Sequence, residues 1–156
     1  MLHRFLRYSV FGVLALLLCG CQQTSSFSRF TLPEEGELSL VVNITDIVCC
    51  EGVLRLAVYN HKDYWLSETD MVRGRLGFIL NDTQTIEIHG LAPGTYSVAV
   101  FQDEDQNNKL NRILGIIPSE PYGFSNNVGR YGPASFEDAS FKLNENKTIT
   151  ISLNAF

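Results

Sequence analysis

Residues 38–156 read as an all-β domain, a single antiparallel β-sandwich of about seven short strands. Three observations point that way. Apolar residues recur at every second position through most of this span. Turn residues separate the runs at short intervals. No long segment carries the 3.6-residue apolar period of an amphipathic helix.

The strands follow in order. In ELSLVVNI, Leu38, Leu40, Val42 and Ile44 share one face, and in GVLRLAVYN, Leu54, Leu56 and Val58 do. The segment at residues 61–74 has room for a short helix, and RGRLGFILN gives a weaker strand around Leu76 to Leu80. TIEIHGL sets Ile86 and Ile88 on one side. A turn at Pro93-Gly94 opens a strong strand, in which Tyr96, Val98 and Val100 alternate with Ser97, Ala99 and Phe101. SFEDASFKL and KTITISL supply the last two, the second with Ile149, Ile151 and Leu153 in phase.

Ahead of the sandwich, residues 1–20 read as a signal peptide. Arg4 and Arg7 precede an apolar run, residues 10–21, that is too short to span a bilayer. The run ends in Leu18-Cys19-Gly20-Cys21, which resembles a bacterial lipobox and implies cleavage after Gly20 and lipid on Cys21. Two or more acyl chains anchor a protein stably to a membrane. Gln22, not Asp, follows the cysteine, which places the anchor at the outer membrane, facing the periplasm. Residues 21–37 form a polar linker, and 38–156 the domain.

The chain holds 12 Lys and Arg against 17 Asp and Glu, a net charge of −5. Loss of Arg4 and Arg7 with the signal peptide makes it more negative still. Such a chain, without basic clusters, argues against nucleic acid and against anionic lipid surfaces as partners. Cys49 and Cys50 are adjacent; neighbouring Cα atoms lie about 3.8 Å apart, short of the spacing disulfides prefer.

Two segments hold candidate sites. In FQDEDQNNKLN, Asp103, Asp105, Asn107, Lys109 and Asn111 fall at positions 1, 3, 5, 7 and 9 of an EF-hand-like loop, with Lys109 offering its carbonyl. Position 12 is Leu114, so the bidentate Glu is missing, and any calcium affinity is weak, about 10⁻⁴ M. Glu104, Glu120 or Asp138 are candidates to complete the site. The alternative is a solvated turn stabilised by Asp and Asn side chains. The second segment, residues 114–139, is long for a loop and rich in aromatics, so it reads as ordered and packed. Tyr122, Phe124 and Tyr131 lie among Glu120, Asn126, Asn127 and Arg130, a mixture suited to stacking and hydrogen bonding a sugar or peptide. Alternatively the aromatics plug the end of the sandwich, with Arg130 clamping Glu137 or Asp138.

Catalytic motifs are poor. Residues 123–126, GFSN, lack the final glycine of a nucleophile elbow, and no His or Cys cluster suggests zinc. The expectation is a protein that is not an enzyme; a hydrolase using acidic residues is the lesser alternative.

The run GLAPGTYSVAVFQDEDQNNKLN, then GIIPSEPYGFSNN, then GRYGPASFEDASFKL resembles the bacterial DUF2141 family over residues 38–154. The resemblance implies a small envelope β-sandwich of immunoglobulin-like or transthyretin-like shape and no established activity. Asn108 stands where the family commonly has Gly, and Asn111 where it has Asp; both weaken the metal reading. The expected function is a lipid-anchored, non-catalytic module that binds an envelope protein or glycan, or else an accessory domain steadied by calcium.

Overall fold

The computed structural model describes residues 36–48 and 51–154. The signal segment, the lipidation site Cys21, most of the linker and the Cys49–Cys50 pair lie outside the described residues. Among the described residues, ten strands run in chain order: β1 Leu38–Thr45, β2 Val53–Tyr59, β3 Arg73–Phe78, β4 Gln84–Leu91, β5 Gly94–Asp103, β6 Arg112–Ile113, β7 Ile117–Pro118, β8 Tyr122–Phe124, β9 Phe141–Leu143 and β10 Lys147–Ser152. One sheet has the order β10-β1-β4, and a larger one β3-β2-β5-β8, with β9 joining β5 at its opening residues. β6 and β7 form a separate hairpin.

The period-two runs pack as their spacing requires. Leu40, Val42 and Ile44 of β1, Ile86 and Ile88 of β4 and Ile151 of β10 meet Leu54, Leu56 and Val58 of β2 and Val98 and Val100 of β5 in the main core. Each such side chain contributes about 1.5–3 kcal/mol through burial. The fold is all-β and sandwich-like, as expected.

Three details depart from the sequence reading. β1 and β10 pair in parallel, from Leu40 with Lys147 to Thr45 with Ser152, so the sandwich is not wholly antiparallel. A parallel pair needs a long crossover, and here nearly the whole domain supplies it. Half of SFEDASFKL is a helical turn, α1 Phe136–Ala139, because the Ser135 hydroxyl caps it by accepting the Asp138 N–H at 3.1 Å. The short helix expected within residues 61–74 is a single 3₁₀ turn, Lys62–Tyr64, and β3 begins at Arg73.

A second, smaller core lies on the outer face of the larger sheet. Tyr122, Phe124 and Ala139 are buried there, with Trp65, Ala99, Phe101, Leu110, Val128 and Ala134 packed against them. Trp65 meets Tyr59, Phe124 and Phe136 at ring distances of 5.2, 5.6 and 6.0 Å, and its indole N–H donates to the Ala134 carbonyl at 2.8 Å. Gly123 is required where β8 crosses β10, since a Cβ there would lie 2.7 Å from Ile151 and 2.8 Å from the Ser152 carbonyl.

Candidate functional site

β5 delivers Asp103 to the mouth of the acidic loop fully buried. Its carboxylate accepts from Arg55 Nε of β2 and from the backbone N–H groups of Asn107 and Asn108, both at 3.0 Å. Asp105 is exposed and accepts the Asn107 N–H at 3.1 Å and the side-chain amides of Asn107 and Asn111, both at 2.9 Å. The hydrogen bond from Asn111 is the main reason its carboxyl sits below the usual range. Gln106 and Asn108 take left-handed backbone, closing the turn.

Of the residues expected to complete this site, Glu120, which the sequence reading also grouped with the aromatic segment, is the one whose carboxylate joins it. It is buried, accepting the Glu104 N–H at 2.9 Å and the Asn111 N–H at 2.7 Å. Asp103, Asp105 and Glu120 thereby bring a carboxylate oxygen each within 4.8 Å of one another. Glu104 is pushed upward in pKa, first by burial and then by the charges of Glu120, Glu51 and Asp105. Three hard oxygen donors suit calcium, and carboxylates with about four acceptor sites each retain capacity beyond these N–H groups. The amides do not follow the EF-hand order. Asn107 donates to Asn111 at 2.8 Å and accepts the Lys109 N–H at 2.8 Å, so it links the other two.

Asn126, Asn127 and Tyr122 of the aromatic segment are engaged internally. Asn126 donates to the carbonyls of Asp138 and Ser140, both at 2.9 Å. Asn127 donates to the Thr150 carbonyl and accepts the Ser152 N–H at 2.9 Å. Tyr122 donates to the Gly129 carbonyl at 3.1 Å. Tyr131 is 93% exposed. Arg130 is exposed too, and among the described residues no ion pair joins it to Glu137 or Asp138, so the expected clamp does not form.

Tyr122 and Phe124 instead help to floor a groove that the sequence reading missed. Its floor is the outer face of β2, β5 and β8: Ala57, Ala99, Phe101, Tyr122 and Phe124, with Tyr59 at one end. One wall runs from Leu66 to Leu76 and the other from Asn108 to Pro118, enclosing about 1030 Å³. Burial, with Glu68 nearby, pushes Tyr59 up to about 12, so it stays protonated and donates to the Ser67 carbonyl at 2.8 Å. The charged residues of its lining are Arg55, Arg75, Lys109, Arg112 and Glu68. Arg55 is neutralised by Asp103; among the described residues the other three cations have no ion-pair partner. The signal was present in β5, whose outward positions hold Ala99 and Phe101, where a solvated strand has polar residues.

The β6–β7 hairpin, part of the second wall of the groove, carries Ile113, Leu114, Ile116 and Ile117, which are 58, 90, 79 and 50% exposed. Its turn closes with the Ile116 N–H donating to the Ile113 carbonyl at 3.2 Å. Leu114 and Gly115 are left-handed, with φ of 53° and 73°. For a leucine this conformation costs about 1–2 kcal/mol.

Among curated proteins, none matches the chain. A fimbrial assembly protein from Parabacteroides distasonis is similar in structure at 12% identity and a TM-score of 0.35; the match covers 74% of this chain and 51% of that one. The chain thus spans about half the length of that protein. A family model described as "Uncharacterized protein conserved in bacteria" matches residues 42–151, over the same β-sandwich that carries the acidic loop, the groove and the hairpin. The chain belongs to the DUF2141 family.

Proposed function

We propose that the protein is a non-catalytic binding module of the bacterial cell envelope, tethered through lipid on Cys21 at the outer membrane. Its site is the groove on the larger sheet, and its ligand an extended, largely apolar segment of another envelope protein. The single observation that carries this reading is the groove itself. It has the size and lining of a ligand site, mainly apolar with a few polar groups at the rim. A glycan is the weaker ligand, because Asn126 and Asn127, the amides expected to hold sugar hydroxyls, are bonded to backbone.

Selection of a displayed peptide library on the purified protein tests this. Apolar peptides are expected to be enriched, and Ala99→Trp, which fills the groove floor, to abolish their binding while the fold is retained. No enrichment, or equal binding by Ala99→Trp, would overturn the groove as the site. Binding of glycans in its place would overturn the ligand class.

A second reading is favoured by the convergence of Asp103, Asp105 and Glu120: a calcium-steadied accessory domain. Thermal unfolding with excess EDTA or millimolar calcium, with magnesium as control, tests it. A ligand bound only by the folded state adds about 2.7 kcal/mol at a hundredfold excess over its Kd. A calcium-specific rise lost in Asp105→Asn supports the reading; an unchanged midpoint removes it.

A further inference from the structure

We propose that the β6–β7 hairpin enters a lipid bilayer, with Ile113, Leu114, Ile116 and Ile117 among the acyl chains and Arg112 and Lys109 at the level of the lipid phosphates. The exposed aliphatic residues are consecutive around the tip rather than alternate. A protein surface that reads a strand takes every second side chain; an acyl phase accepts all of them. Leu114 adds an independent observation. A left-handed turn position selects Asn, Asp or Gly, yet here it holds a leucine, 90% exposed. Neither backbone preference nor packing within the domain favours that residue, so its side chain serves something outside the domain.

The charges fit a bilayer as well. Arg112 and Lys109 are exposed at the base of the hairpin and, among the described residues, unpaired. Side chains of this kind lay their long stems along apolar material while the charged ends reach phosphate. The chain as a whole is acidic, with a net charge of −5, so long-range attraction to anionic lipid does not drive entry. Apolar transfer of the tip does, and the two cations hold the depth. The inference rests neither on the groove nor on lipid at Cys21.

The full-length protein, reconstituted in vesicles of phosphatidylethanolamine and phosphatidylglycerol doped with acyl-brominated phosphatidylcholine, provides the test. Trp65 is the one native tryptophan. Leu114→Trp adds a reporter at the tip, and Glu145→Trp adds one at the β9–β10 turn. The added emission of Leu114→Trp is expected to shift to the blue and to be quenched by bromine several-fold more than that of Glu145→Trp. Equal quenching in the two variants overturns the proposal. A blue shift without bromine quenching means that the tip is covered by protein, a second copy included, and overturns it too. Ile116→Trp, at a position with ordinary φ, repeats the measurement should Leu114→Trp fail to fold.

Discussion

Asp103 shows how one buried carboxylate holds a loop. It neutralises Arg55 and accepts two backbone N–H groups of the turn that follows it. Asp103→Ala leaves those groups and the arginine without their acceptor. Removing one partner of a buried pair costs about 3–5 kcal/mol, and the quarter exposure of Arg55 puts the expected loss near the lower bound, about 3 kcal/mol by urea unfolding. Glu104 has the opposite sign. Its folded pKa is raised, so its ionised form opposes folding above that pKa, and the penalty fades as pH falls through it to the unfolded value. Glu104→Gln is therefore expected to raise stability at neutral pH, by less than about 1 kcal/mol because the side chain is partly solvated. The gain should vanish in acid, as a pH series of urea midpoints would show. The local part of this network was legible, since Asp and Asn spaced by two form turns wherever they occur. Glu120 was legible only as one of three candidates, with Glu104 and Asp138, to complete the site: it meets Asp103 because β8 pairs with β5, and no sequence spacing encodes that.

The elements were legible where one face is buried and the period is strict, as in β1, β2, β4 and β5. They were less legible where a local hydrogen bond competes with pattern, as when the Ser135 cap turns part of an expected strand into α1. The β6–β7 hairpin lies at the far extreme. Its residues, RILGIIP, carry no alternation, because all from Arg112 to Ile117 are exposed and only Pro118 is buried. Its strain is testable without any ligand. Leu114→Asn keeps the turn with a residue that tolerates left-handed backbone, and is expected to stabilise the protein by about 1 kcal/mol. Urea unfolding without lipid measures this. A loss of stability would mean that the leucine packs within the domain after all.

At the scale of the whole molecule, β5 joins two cores. Tyr96, Val98 and Val100 point into the main core between the sheets; Ala99 and Phe101 point outward and pack with the cluster of Trp65, Tyr122 and Phe124. The sequence announced the first core through its period but not the second, whose members come from the 61–74 loop, β8 and the segment after it. Because one strand serves both, the domain should unfold as a single unit. Trp65 fluorescence reports the outer core and far-ultraviolet circular dichroism reports the sheets, so the two curves are expected to coincide, the signature of two-state unfolding. Phe124→Ala sharpens the test. The ring is buried against Trp65 and Tyr122, and its removal should cost about 3–5 kcal/mol. If the cores are coupled through β5, both curves move together by that amount. If the fluorescence curve alone moves, the outer core melts as a separate cap, and the groove it floors would open and close without disturbing the sandwich.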